Sequence, residues 1–202
     1  MLKLNFWWVA VLLVAAFAFS SCEKSEILNE VAEEQPSLKV IVSPGPIEGV
    51  EYFTDLLEAE TCGEIKITPI FDAQNQEAGL VKISNDDENL YIEIETNENW
   101  KFLMANLYIG SYENIPLSSS GEPNTRSFPI QVRFTALLSY VVFSIPLENF
   151  NDEFVVAPMI YGFKYNNGTL VSRQYIWGGD NLIGNSQIAR YSNYSVQSCC
   201  EI

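Results

Sequence analysis

The sequence predicts an all-β protein, an antiparallel β-sandwich of about eight or nine strands behind a signal peptide and an acidic tether. Three observations predict it. Segments that alternate apolar and polar residues recur from Cys62 onward; clusters of Asn, Asp, Gly, Pro and Ser separate them; and no long segment carries a helical period. A closed barrel is the alternative architecture for the same pattern.

The chain begins with Met1-Leu2-Lys3, a short positive start, followed by an apolar run from Phe6 to Phe19 that is too short to span a bilayer comfortably. Residues 1–21 are therefore expected to be an export signal. Ser20 and Ser21 stand before Cys22, and this order resembles the lipobox at which bacterial lipoprotein signals are cut and the new terminal cysteine is acylated. Phe19 takes the position where leucine is usual, as in the relaxed lipoboxes of Bacteroidetes-type envelope proteins. The resemblance implies lipidation at Cys22 and attachment to a membrane through acyl chains, several of which hold durably where one does not.

Residues 22–37 are polar and acidic, end in Glu33-Glu34-Gln35-Pro36, and have no apolar period that would bury a face, so they are expected to form a flexible tether. Residues 38–61 form a leading segment. In it Leu38 to Val42 suits a strand stopped by Ser43-Pro44-Gly45-Pro46, and Val50 to Glu60 suits either a short helix or a strand. The β domain is placed at residues 62–202.

Within that domain Glu64 to Thr68 and Leu80 to Ile83 alternate, and Leu90 to Thr96 alternates after the turn Asn85-Asp86-Asp87-Glu88-Asn89, which predicts a hairpin with one buried and one wet face. Trp100 to Ile109 is the next apolar run. A long loop from Tyr112 to Ser127 follows, the kind of segment that carries function on β scaffolds. Further strands are expected at Ile130 to Phe134, Leu138 to Ile145, Phe154 to Tyr165, Leu170 to Trp177 and Arg190 to Val196. Asn166-Asn167-Gly168 joins the fourth of these five to its predecessor through a strong hairpin signal.

Composition excludes several functions. The 202 residues hold 26 acidic and 11 basic side chains, a formal charge of −15, so nucleic acid is not an expected partner and a basic membrane-binding patch is not the means of attachment. Histidine is absent, which removes the commonest general base and transition-metal ligand and with them serine triads, histidine-ligated haem and the usual zinc hydrolase sites. No cofactor or metal site is expected, and the chain is not expected to be an enzyme. Apart from Cys22 the cysteines are Cys62, Cys199 and Cys200. In an exported compartment Cys62 can pair with either Cys199 or Cys200, fastening the last strand to the first.

Several ordered segments resemble a small β-sandwich domain of surface and exported proteins of Bacteroidetes and some archaea, whose function is largely uncharacterised. They are Val81-Lys82-Ile83-Ser84-Asn85-Asp86 with Asn89-Leu90-Tyr91-Ile92, Asn99-Trp100, Asn106-Leu107-Tyr108-Ile109-Gly110 and Ile115-Pro116. Gly121-Glu122-Pro123 with Phe128-Pro129, Ser144-Ile145-Pro146-Leu147 and Trp177-Gly178-Gly179-Asp180 continue the series, over about residues 62–200. Where family members carry a histidine-bearing segment, this chain has Val156 to Tyr161. The resemblance implies an extracytoplasmic β module, often attached to adhesive or binding architectures, rather than a catalyst, and assigns no active-site residues.

Three candidate sites follow from residue chemistry. Trp177, with Tyr175 before it and Gly178-Gly179-Asp180 after it, suits sugar binding: an exposed ring stacks on pyranose C–H faces, the glycines admit a ligand, and Asp180 accepts from hydroxyls. Burial of the tryptophan in a core is the competing reading. Asn85 to Asn89 offers oxygen ligands for calcium, but a solvated turn needs the same residue types. Glu93 and Glu95 form a carboxylate pair of the kind used in glycoside hydrolysis, although their spacing also fits the wet face of a strand.

The expected function is thus a non-catalytic, lipid-anchored cell-envelope protein of the outer membrane, accessory or adhesin-like, that binds another envelope protein. The alternative is a surface glycan-binding module built on Trp177. The first docks through sheet edges or the loop Tyr112 to Ser127, and expects Trp177 to be buried and some apolar loop or edge surface to be exposed; the second expects an exposed aromatic platform.

Overall fold

The structure, a computed structural model, describes residues 41–42, 47–57 and 59–199. Residues 1–21, expected as an export signal, Cys22 with the rest of the expected tether (22–37), and Cys200 lie outside the described residues. The strands, in order, are β1 (Ile41–Val42), β2 (Glu51–Phe53), β3 (Cys62–Phe71), β4 (Glu77–Asn85), β5 (Asn89–Thr96) and β6 (Trp100–Gly110). They continue with β7 (Ile130–Leu138), β8 (Tyr140–Pro146), β9 (Glu153–Asn166), β10 (Thr169–Gly178), β11 (Asn181–Leu182) and β12 (Arg190–Ser195). Three of these are two or three residues long and the other nine have six or more, the number that the alternation foretells.

Each long strand forms where period-two alternation lets one face bury and the other stay wet. In β5 Leu90, Ile92 and Ile94 are fully buried while Tyr91 and Glu93 are half-buried and Glu95 is exposed. All described pairings are antiparallel. Two five-strand layers result, β1-β7-β6-β9-β10 and β3-β4-β5-β8-β2. They are joined by only two register pairs, Trp177 with Phe71 and Gly178 with Ile70, where β10 passes from one layer to the other. At so narrow a seam the sheet folds over on itself. The inner faces meet in a core that takes Phe102, Leu107, Val132 and Ile160 from the first layer and Val81, Ile92, Phe143 and Ile145 from the second. Each such side chain removed from water contributes on the order of 1.5–3 kcal/mol. This is a β-sandwich.

The leading segment belongs to the sandwich rather than standing before it. Glu51–Phe53 pairs with β8 and Ile41–Val42 with β7, so residues from this segment cover the outer edges of both layers. Of the helix and strand alternatives for residues 50–60, the strand is realised over Glu51–Phe53. Covering sheet edges with short strands limits edge-to-edge association.

The far end of the chain is fastened in two ways. Cys62 and Cys199 form a disulfide across a sequence separation of 137 residues. Beside it Asn85 is fully buried: its Oδ1 accepts from the Tyr194 hydroxyl at 2.7 Å and from Gln197 N–H at 2.8 Å, and its Nδ2 donates to the Gln197 carbonyl at 2.9 Å. In the same turn the Asp86 carboxylate accepts from the N–H groups of Glu88 and Asn89 and from the Tyr91 hydroxyl. Of the five side chains weighed for calcium, Asn85 and Asp86 thus have their oxygens engaged in closing a turn and holding the C-terminal segment.

Candidate functional site

The outer face of β6, β9 and β10 divides into a covered part and an open part. Strand β9 is the reason both exist. Its residues from Phe154 to Ile160 are buried without interruption, because Phe154, Val156 and Ile160 enter the main core while Val155, Ala157 and Met159 face the other way into a second core. Pro158 is tolerated within this central strand because it falls between the stretch paired to β12 (Glu153 to Val156) and that paired to β10 (Met159 to Asn166). A missing N–H costs no ladder bond on that side.

The second core lies under a roof made by two loops, residues 111–129 and 179–189. The first loop contributes Ile115 and Phe128 and the second Ile183 and Ala189, which close over Tyr108, Met159 and Trp177. Phe128 meets Trp177 edge to face at 6.1 Å and Tyr108 at 5.8 Å, favourable ring arrangements. Hydrogen bonds hold the roof down: Asn106 Nδ2 donates to the Thr125 carbonyl at 3.1 Å, and Gln131 Nε2 to the carbonyls of Arg126 and Phe128. The loops are tied to each other by Gly184 N–H donating to the Tyr112 hydroxyl at 3.0 Å. Burial raises the Tyr108 hydroxyl above its ordinary pKa, with the Glu113 charge adding to it, and burial does the same at Tyr191 beside Tyr112 and Asp180. Above the roof four apolar side chains face solvent: Tyr112 and Leu117 on the first loop, Leu182 and Ile188 on the second.

Sequence chemistry grouped Trp177, Tyr175 and Asp180 as one site; the structure separates them. Trp177 is 5% exposed and belongs to the second core, so it offers no platform to a sugar. Asp180 pairs with Lys66 at 3.1 Å and accepts from Asn181 Nδ2. The two glycines between them serve packing rather than ligand access. A Cβ on Gly178 would lie 2.5 Å from Val81 Cγ2, and one on Gly179, whose φ is +134°, would lie 2.5 Å from the Tyr191 backbone. Tyr175 remains 51% exposed, but among different neighbours.

Those neighbours form the open part of the face, next to the roof. Across the strands one register row reads Arg133, Met104, Tyr161, Tyr175 and the next Lys101, Phe163, Arg173. The Tyr161 ring lies 5.3 Å from that of Tyr175 and 5.2 Å from that of Phe163, and the Arg173 guanidinium stands 5.6 Å from the Phe163 centroid. The track ends at a shallow cleft of about 650 Å³ lined by Lys101, Tyr165, Leu137, Glu98 and the Asn167-Gly168 turn.

Sequence reasoning passed over Tyr161, Phe163, Arg173, Lys101 and Arg133. A partial signal lay in the hairpin turn, since counting back from Asn167-Gly168 pairs the two strands. The count goes astray at a β-bulge between Leu170 and Ser172, which shifts every later residue by one and brings Tyr175 opposite Tyr161. Glu93 and Glu95, weighed as a hydrolytic pair, both stand beside Lys82 and form ion pairs with it on the outside of the other layer. They do not face each other across a cleft.

Among the described residues no helix is long and apolar enough to cross a membrane, a statement that does not concern strands. Compared with protein families, with curated proteins and with solved structures, the chain has no match in any of the three.

Proposed function

We propose that this chain is a non-catalytic, lipid-anchored protein of a bacterial outer membrane, accessory or adhesin-like, that presents its sandwich on an acidic tether from Cys22 and docks another envelope protein through the roof. The observation that carries the docking is the exposure of Tyr112, Leu117, Leu182 and Ile188 on two loops that are themselves pinned to a buried core. Apolar groups displayed on a surface ordered by its own hydrogen bonds suit a partner better than they suit water. The order of export signal, small residues and cysteine supports the lipid anchor. The glycan-binding alternative loses its Trp177 platform to the roof.

The test is the intact mass of the protein purified from membranes, with co-purifying proteins identified in the same mild detergent extract. The expected result is acylation at Cys22 and a stoichiometric protein companion that is lost when Leu117→Asp and Leu182→Asp are combined. An unmodified mass overturns the lipoprotein reading, and an acylated protein that emerges alone overturns the docking.

A further inference from the structure

A second recognition surface follows from the cations. Eight lysines and arginines fall among the described residues: Lys66, Lys82, Lys101, Lys164, Arg126, Arg133, Arg173 and Arg190. Lys66, Lys82 and Lys164 are paired to carboxylates, and Arg190 donates to Asn75 and covers the Phe71 ring. Of the other four, Lys101, Arg133 and Arg173 all stand on the open face of β6, β7 and β10, in the two rows that hold Tyr161, Phe163 and Tyr175. No carboxylate occupies either row; Glu98 enters only at the far cleft. In a chain of formal charge −15 this is a local reversal of sign. Screening over about 8 Å at physiological ionic strength isolates such a patch from the acidic remainder.

We propose that this open face binds an acidic polysaccharide, a pyranose polymer bearing carboxylate or sulfate groups. A sugar ring lies on the exposed Tyr175, whose neighbours Tyr161 and Phe163 extend the aromatic surface, and C–H groups of the pyranose meet the ring faces. Lys101 and Arg173 flank Phe163 on either side, two strand spacings or roughly 10 Å apart, and each engages an acid group of the polymer. The guanidinium of Arg173 does so in bidentate fashion. An acidic peptide is the less suitable occupant. A peptide strand adds to a sheet edge through backbone N–H and C=O groups, whereas the two rows present ring faces and cations across the face of the sheet, with Lys101 on the interior strand β6.

The test is affinity electrophoresis of the full-length chain through gels containing polygalacturonate, dextran sulfate, neutral dextran or polyglutamate. Retardation by at least one acidic polysaccharide and not by neutral dextran is expected. Tyr175→Ala alone, and Lys101→Ala with Arg173→Ala, are each expected to weaken binding at least tenfold, with Arg173→Lys intermediate, while circular dichroism and the unfolding midpoint stay near those of the parent. No retardation by either acidic polysaccharide overturns the proposal. So does equal retardation by dextran, which makes the face a neutral-sugar surface, or by polyglutamate, which makes it a peptide surface, or binding indifferent to the variants. Because the roof variants leave this face intact, failure here and failure of the protein companion are separately visible.

Discussion

Trp177 and Tyr175 point to the same side of the same strand two residues apart, yet one is 5% exposed and the other 51%. Both pair with β9, to Met159 and to Tyr161, and Trp177 also pairs with Phe71 at the seam. Around Trp177 the loops 111–129 and 179–189 have folded down over the sheet; around Tyr175 they have not. The outer face of β9 and β10 is apolar along both parts, with Val155, Ala157, Met159 and Trp177 covered and Tyr161, Phe163 and Tyr175 open, so the apolar character of a strand face does not by itself decide between core and binding surface. That decision belongs to whichever loop covers it. A covered ring contributes to stability, whereas an open one costs little to keep and remains available for a partner.

The sharpest way to break this comparison is truncation on both sides of it. Trp177→Ala is expected to cost about 3–5 kcal/mol, because the ring fills the space under the roof and its neighbours can collapse only in part. Urea denaturation measures it, and a loss under 1 kcal/mol would mean that the roof is not a packed core.

Replacing Cys62 and Cys199 together by serine comes next, at about 2–4 kcal/mol by the same assay. The closed loop is long and the disulfide joins β3 to the C-terminal segment, far along the chain from either face, so polysaccharide binding should be unchanged. A concurrent loss of binding would show that the open face depends on that fastening.

Alkaline pH sharpens the contrast between covered and open rings. Burial raises the hydroxyls of Tyr194, Tyr91 and Tyr140 well above the ordinary 10.0, with Asp86 adding to it at Tyr91 and Glu93 at Tyr140. Below about pH 10 folded and unfolded chains both keep these protons and the contribution to stability is whole. As pH rises above that, the unfolded chain releases protons the folded one holds, and stability falls. Ultraviolet titration should therefore show part of the tyrosine signal appearing only with unfolding. Complete ionisation of a still-folded chain would contradict the burial of these hydroxyls.

The smallest expected effect is that of Tyr175→Ala on stability, within about 0.5 kcal/mol as for other exposed positions. A much larger cost in the same denaturation assay would place the ring in a packed environment and remove its availability as a binding surface.

The strands of this protein were legible one by one. Leu90, Ile92 and Ile94 alternate with Tyr91, Glu93 and Glu95, and no arrangement other than a half-buried strand satisfies both sets. The hairpin at Asn167-Gly168 was equally legible, because few residues accept the positive φ found at both positions. The candidate sites were legible only as residue types. Trp177-Gly178-Gly179-Asp180 carries the chemistry of a sugar site, but its glycines are filled by Val81 and the Tyr191 backbone, and its aspartate by Lys66. Those neighbours lie far away in sequence, so no local pattern announces them.

The sequence by itself therefore determined the all-β class, the strands, the absence of histidine chemistry and the sign of the charge, since each follows from local periodicity or composition. Only the tertiary structure decided which aromatic side chains are core and which are surface, and that Cys62 is joined to Cys199. The physical reason is non-locality. One bulge between Leu170 and Ser172 reverses which residues of β10 face outward, and two loops brought in from residues 111–129 and 179–189 choose which of those to bury.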